Sequence, residues 1–232
     1  LYDLVWQPAD APQGVSGPGV GAWVLVGAGD GLAALLAARL EASGWAVVVL
    51  AGRDPDGLGD LLATTTALAG IVDLRALEAG DMAVAEAAEH ATGDLLCLVQ
   101  ALIAAGRVND VPLVVLTRGA QGGVGTEAMA GWQGLATAPL WGLVRTVWHE
   151  YPDLPCVALD LDPVPSGNEV EQVATELTAP DGEQQVAYRA GQRHVARLKH
   201  HQSDVKQTRL ELPDAPYRID KMPEGGLDRL LV

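Results

Sequence analysis

The sequence predicts an α/β fold in which a doubly wound, mostly parallel sheet ends in a β-hairpin. Continuous apolar runs, such as residues 46–50 and 113–116, are typical of parallel strands covered by helices on both faces. Between these runs, apolar residues recur at helical spacing, and this alternation indicates a parallel α/β sheet. Two further strand-like segments meet at Ala190-Gly191, which predicts a hairpin that we expect to form the edge of the sheet.

The predicted elements follow one another at short intervals along most of the chain. Strands are predicted at residues 1–8, 22–26, 46–50, 71–74, 113–116, 157–161, 185–189 and 193–198. The helical stripes lie at residues 32–43, 95–103, 140–151 and 170–177. Gly44 ends the first helix because glycine adopts positive φ at little cost. From residue 199 onward the pattern fails, and charged residues, Pro and Gly dominate.

The composition, and above all the net charge, limits the kinds of molecule that the chain is expected to bind. The chain has 232 residues, 49% of them hydrophobic, which is enough for a well-filled core. Its formal net charge of −15 argues against binding nucleic acid or an anionic membrane surface, because both repel a negative protein. No run of about eighteen apolar residues could span a bilayer, and no secretory signal opens the sequence. We expect a cytoplasmic protein without membrane insertion, and the start Leu-Tyr-Asp suggests a piece of a longer polypeptide.

The turn after the second strand resembles a dinucleotide-binding fingerprint that has lost part of its chemistry. Gly27 and Gly29 occupy the first two glycine positions of G-x-G-x-x-G, but Leu32 occupies the third. Asp30 places a carboxylate where a diphosphate would lie, and no acidic residue ends the following strand to bind a ribose. We therefore interpret Gly27, Gly29 and Gly31 as a degenerate turn and expect no cofactor there. Weak anion binding by the helix amides stays open.

A second motif resembles the catalytic pair of short-chain reductases. Tyr217 and Lys221 have the Tyr-x-x-x-Lys spacing, in which the Lys lowers the pKa of the Tyr. However, Pro213, Pro216 and Pro223 flank the pair, whereas the reductase motif lies on a long helix. We therefore interpret this match as accidental and predict no catalytic residue.

We expect the remaining candidate sites to have no catalytic or ligand-binding role. The glycine-rich segment Gly119–Gly125 lacks the Lys-Ser/Thr ending of a phosphate loop and is expected to be a surface loop. Asp160 and Asp162 stand at the carboxyl end of a strand, where a metal could bind, but no further ligand is near in sequence. We expect a solvated strand end and no metal. His200 and His201 are interpreted as part of a polar linker.

Several segments together resemble the ketoreductase region of modular type I polyketide synthases. They comprise residues 1–6, 115–120, 138–145, 149–152, 158–163, 184–189 and 191–198. Trp141 and the Thr117-Arg118-Gly119 segment are the most specific, and the similarity extends to about Leu198. In that family the ketoreductase has two Rossmann-like halves. One half is a truncated, short-chain-reductase-like structural subdomain, and the other binds NADPH and carries the catalytic residues.

The resemblance implies that this chain is the structural half alone. No catalytic residue can then be carried over, and the chain is not an enzyme by itself but a fragment of a multifunctional one. NADPH, and phosphopantetheine on an acyl carrier protein, belong to the parent synthase. The implied partners are the catalytic ketoreductase half, an enoylreductase and, transiently, the acyl carrier protein. The first strand and the terminal hairpin are the expected pairing surface, since bare edge strands invite aggregation.

The sequence also predicts domain boundaries. Residues 1–198 form the Rossmann-like subdomain, 199–213 a linker, and 214–232 the start of a following domain. The tail resembles the first strand of an enoylreductase, which fully reducing modules insert between the two ketoreductase halves. One alternative is a self-sufficient NADPH-dependent short-chain reductase using Gly27–Gly31 with Tyr217 and Lys221. Another is a free interaction module unconnected with any synthase.

Overall fold

The computed structural model describes residues 1–13, 19–29, 31–51, 55–78, 82–124, 131–201, 220–221 and 230–231. The chain divides into two compact units, one formed by Leu4–Lys199 and the other by Leu1–Asp3 with His200–Val232. No helix in the described part of the chain has both the length and the apolar character needed to cross a membrane.

Eight strands form the main sheet. They are β1 (Tyr2–Pro8), β2 (Ala22–Val26), β3 (Ala46–Leu50), β4 (Leu68–Asp73), β5 (Leu113–Arg118), β6 (Cys156–Leu161), β7 (Gln185–Arg189) and β8 (Gln192–His200). Their order across the sheet is β1-β8-β7-β6-β5-β4-β2-β3. Pairing is parallel from β3 to β7 and antiparallel between β7 and β8. A separate antiparallel pair joins β9 (Asp220–Lys221) to β10 (Leu230–Leu231).

Helices cover both faces of the sheet, which confirms the doubly wound α/β fold. They are α1 (Gly31–Ala42), α2 (Pro55–Thr64), α3 (Val84–Ala104), α4 (Gly131–Glu150) and α5 (Glu169–Thr178), and a 3₁₀ turn spans Arg75–Glu78. Helices α2, α3 and α4 pack on one face, where Leu98 and Trp141 are buried. Helices α1 and α5 pack on the other face, where Leu36 and Val173 are buried.

One prediction about a sheet edge was wrong. The hairpin is not an edge, because β1 lies beside β8 and covers it; the Ala9 amide donates to the Arg193 carbonyl at 3.0 Å. The prediction that β3 is covered on both faces was also wrong, since Val49 is 39% exposed; β3 is the edge strand at the opposite side of the sheet. The hairpin turn itself is as predicted: Ala190 and Gly191 both have positive φ, which matches the twist of a two-residue connection.

Element lengths also differ from the prediction. The 3₁₀ turn and α2 lie between predicted elements, and β8 continues to His200, so the first two residues of the predicted linker belong to the strand. The functionally important point is the strand order. Going outward from β2, the chain passes first to β3 on one side and then to β4 on the other. This reversal creates a crevice at the carboxyl ends of β2 and β4, where doubly wound folds bind ligands.

Candidate functional site

The degenerate glycine turn lies at this crevice, directly after β2. The Gly27 amide donates to the Leu50 carbonyl at 3.0 Å, and the Leu74 amide donates to the Val26 carbonyl at 2.9 Å. Gly29 lies in the turn and Gly31 begins α1, whereas Asp30, Gly52 and Arg53 lie outside the described residues. The third fingerprint position has a packing role, because Leu32 is half-buried against the core beneath α1.

A side chain that the sequence did not single out enters the turn. The Ala28 amide donates a hydrogen bond to Oε1 of Glu78, the last residue of the 3₁₀ turn. A Cβ atom built on Gly27 would lie 2.7 Å from the same oxygen and 3.3 Å from Cβ of Leu74. Gly27 therefore lacks a side chain where Leu74 and the carboxylate of Glu78 approach the backbone.

A salt bridge anchors the start of the 3₁₀ turn at the end of β4. Arg75 Nε and Nη2 donate to the two carboxylate oxygens of Asp73 at 2.9 and 2.8 Å. Arg75 also donates to the carbonyl of Asp94 on α3 at 3.0 Å. Asp73 is buried, and both of its carboxylate oxygens accept hydrogen bonds from Arg75. The bond from Arg75 to the carbonyl of Asp94 holds the turn against α3.

The carboxyl ends of β5, β6 and β7 are tied together around Asp160, whose side chain is 0% exposed. One carboxylate oxygen accepts hydrogen bonds from Thr117 Oγ1 at 2.6 Å and from the Ala120 amide at 2.9 Å. The other accepts from the Gln121 amide at 3.0 Å and from Arg189 Nη2 at 2.5 Å. We call these five residues the Asp160 clamp. Four donors on one buried carboxylate leave it little capacity to bind a ligand.

The clamp extends to the edge strand through two tryptophans. Trp141 of α4 donates from Nε1 to Thr117 Oγ1 at 3.0 Å. Trp6 of β1 packs edge-on against Trp141, with ring centroids 5.8 Å apart. Contacts through Thr117, Trp141 and Trp6 therefore connect Asp160 to β1. Trp141, at the centre of this connection, is fully buried in the core.

A second ion pair, between Arg118 and Glu169, lies beside the carboxyl end of β6. Arg118 Nη2 donates to Glu169 of α5 at 2.9 Å, and Arg118 Nη1 donates to the carbonyl of Asp162 at 2.8 Å. The carboxylate of Asp162 accepts from the Gly191 amide at 3.1 Å and so fixes the hairpin turn. Asp162 and Glu169 are both buried, and each has a partner within the chain.

These contacts correct two predictions. Asp160 and Asp162 are not a solvated strand end, because both are buried and hydrogen-bonded. The segment Gly119–Gly125 is only partly a surface loop: Gly119 and Ala120 are buried, and Gly122 and Gly123 are exposed. Within the described residues, no group of three or more His, Cys, Asp or Glu side chains could hold a metal ion.

The Tyr-x-x-x-Lys match, interpreted above as accidental, falls largely outside the described residues. Tyr217 lies outside them, and Lys221 is described only as a backbone position in β9. In the smaller unit, His201 Nδ1 lies 2.8 Å from Asp3 Oδ2, and the His200 ring packs against Tyr2 at 5.5 Å. These histidines are partners of the first residues of the chain.

A pocket of about 420 Å³ beside the hairpin is lined in part by Tyr188, the one buried tyrosine of the described residues. The Tyr188 hydroxyl donates to Glu176 Oε1 at 2.7 Å, and Arg193 Nε donates to the same oxygen at 2.7 Å. Burial, and then the charge of Glu176, raise the pKa of Tyr188 above its usual value. A reductase tyrosine needs the opposite shift to exchange a proton near neutral pH, so Tyr188 is suited to packing.

The strand order and the helices on both faces define a Rossmann-like α/β domain. Residues 4–198 match the family described as the Rossmann fold domain of the polyketide synthase extender module SpnB. The chain therefore belongs to this family. It is also 35% identical over 133 residues to a phenolphthiocerol/phthiocerol polyketide synthase polypeptide of Mycobacterium tuberculosis, covering 56% of this chain but 8% of that protein. The same relative from Mycobacterium bovis matches equally.

Solved structures support the same fold. A C2-type ketoreductase from a modular polyketide synthase is 26% identical, with a TM-score of 0.65, and the match covers 87% of this chain and 44% of that one. An A1-type ketoreductase, 23% identical with a TM-score of 0.66, matches over 86% of this chain and 42% of its own. The chain thus spans less than half of each of these two ketoreductases.

Proposed function

We propose that this chain is the non-catalytic structural half of a polyketide synthase ketoreductase. In this role it buries one flank of a catalytic half, which binds NADPH and reduces a β-ketoacyl thioester on an acyl carrier protein. The parent would be a multifunctional cytoplasmic synthase.

The observation that carries the proposal is how the polar groups at the carboxyl edge are used. In an active α/β enzyme this edge presents acids, bases and donors to a ligand. Here Asp73, Asp160 and Asp162 each accept hydrogen bonds from other parts of the chain. Such contacts fix strand ends and loops but offer no free acid or base for proton transfer.

NADPH does not fit the residues at the turn. A dinucleotide needs backbone amides at the start of the helix to bind its diphosphate. The Ala28 amide already donates to a carboxylate of the same chain, and a second anion there would be repelled. We therefore assign NADPH to the catalytic half, and the phosphopantetheine arm to an acyl carrier protein that contacts the assembly transiently.

We propose β1 with the adjoining part of β8 as the surface that meets the catalytic half. β1 is an edge strand, and Leu4 and Leu198 are 42% and 72% exposed. An edge with exposed apolar side chains is an interaction surface unless it is covered. Deleting residues 1–8 should lower the melting temperature of the assembled ketoreductase; an unchanged melting temperature and activity would exclude this surface. The enoylreductase-like tail from 214 to 232 is proposed to lead into the next domain.

Complementation between separate chains tests the role. A catalytic ketoreductase half expressed alone should be poorly soluble and slow with a β-ketoacyl thioester, and adding this chain should restore NADPH consumption. This chain without the catalytic half should show no turnover. A second test addresses the self-sufficient reductase: turnover by this chain that disappears in Tyr217→Phe would establish that alternative and refute the structural role.

A further inference from the structure

We propose that Glu78 is an internal substitute for a nucleotide diphosphate, so that the chain fills its own anion site in the glycine turn between β2 and α1. The inference rests on the proposed function, since it explains how a Rossmann-like unit without cofactor keeps its glycine turn. It also identifies the residue that excludes nucleotides.

The position and chemistry of Glu78 match this role. The backbone amides of a glycine turn that precedes a helix attract anions, because they carry partial positive charge and converge on one concave space. At the β2–α1 turn, the Ala28 amide donates to a carboxylate oxygen of Glu78. The space over Gly27, which in a dinucleotide fold admits the diphosphate, contains the same oxygen, 2.7 Å from where a Cβ would lie.

Hydrogen bonds and buried side chains fix the backbone of the 3₁₀ turn and so position the side chain of Glu78. The Leu74 amide is bonded to Val26 of β2, and the Leu77 amide is bonded to the Leu74 carbonyl. Leu74 and Ala76 are buried, and Arg75 is held by Asp73. Glu78 itself is exposed, but the residues that precede it in the turn are held by the contacts described above. The contact is therefore built into the fold and can be removed by one substitution.

The first test is whether removing the carboxylate exposes an anion site. We would titrate the 232-residue chain, Glu78→Ala and Glu86→Ala with inorganic pyrophosphate by calorimetry and ³¹P NMR. Glu86, exposed in the first turn of α3, is the control for loss of one negative charge elsewhere. We expect Glu78→Ala to bind pyrophosphate about tenfold more tightly than the other two proteins. Equal binding by Glu78→Ala and Glu86→Ala would overturn the proposal.

The second test measures the contact itself and does not depend on any ligand. Gly27→Ala places a methyl group against Glu78, so it should lower the melting temperature more in the parent chain than in Glu78→Ala. Gly142→Ala is the control, because a Cβ there meets no atom within 4 Å and its effect should be the same in both backgrounds. If Gly27→Ala had equal effects in the two backgrounds, Glu78 would not occupy the turn.

The two proposals fail differently. If Glu78→Ala gains no pyrophosphate binding while the parent chain also ignores NADPH, the internal-substitute proposal fails and the structural role stands. If the parent chain binds NADPH with Glu78 in place, the structural role fails as well. Should Glu78→Ala unfold, Glu78→Gln keeps the size of the side chain but removes its charge, and the pyrophosphate titration of this variant then decides.

Discussion

The β2–α1 turn and the Asp160 clamp are closed in different ways, although both lie where a related enzyme would bind its ligands. At the turn, one exposed carboxylate accepts a hydrogen bond from one amide. At the clamp, a fully buried carboxylate accepts from four donors on two segments of chain, 117–121 and the end of β7. In our proposal, the first closure excludes a ligand, and it involves one exposed side chain. The second is part of the core.

Under the proposed structural role, the two arrangements illustrate two ways in which an α/β unit can do without chemistry. A binding turn can be retained and filled, because a helix start is stabilised by any well-placed anion. A catalytic strand end can instead be converted to structure, because a buried carboxylate is tolerated only when it is paired and hydrogen-bonded. The comparison therefore predicts large stability effects at the clamp and small ones at the turn.

The largest effect is expected for Asp160→Ala. This change leaves the buried guanidinium of Arg189 without its charge partner, and the free energy of unfolding should fall by about 3–5 kcal/mol. Urea denaturation followed by tryptophan fluorescence measures the loss. Asp110→Ala is the control, because Asp110 forms an exposed pair with Arg107 and should change stability by less than about 1 kcal/mol. Similar losses for the two variants would show that Asp160 is not a structural clamp.

An intermediate effect is expected for Thr117→Val. The valine removes the hydroxyl that donates to Asp160 and accepts from Trp141, so the free energy of unfolding should fall by about 1–3 kcal/mol. Thr146→Val on the exposed side of α4 is the matched control, since its hydroxyl only donates to the carbonyl of Gly142. A neutral Thr117→Val would mean that the link from Asp160 to Trp141 contributes nothing.

The smallest effect is expected for Glu78→Gln. The amide keeps an acceptor for Ala28 but loses the charge at the start of α1, so the free energy of unfolding should fall by about 0.3–1 kcal/mol. The difference from the parent chain should shrink at high salt, because the contact is exposed. Melting curves at low and high ionic strength measure it, and a loss as large as that of Asp160→Ala would remove the distinction between the two closures.

Local patterns were sufficient to predict most of the fold. Strands β2 and β5 are continuous apolar runs, and α1 carries an apolar stripe that ends at Gly44. What local patterns could not give was which strands become neighbours. β1 pairs with β8 from the other end of the sequence, so the hairpin became internal and β3 was left as an edge.

The closures could not be predicted because their partners are distant in sequence. Asp160 and Arg189 are 29 residues apart, and Ala28 and Glu78 are 50 apart. A charged residue at the end of the apolar strand β7 was the available signal for Arg189. Nothing comparable marked Glu78, whose direction depends on how the 3₁₀ turn packs against β2. The degenerate glycines predicted an incomplete cofactor site, but they gave no indication of the contact between Ala28 and Glu78.

A calorimetric titration of the 232-residue chain with NADPH, beside a catalytic ketoreductase half as positive control, tests the central claim most directly. The account predicts saturable heat from the catalytic half and none from this chain. Micromolar binding of NADPH by this chain alone, weakened by Gly27→Ala, would contradict the claim that it is a structural half.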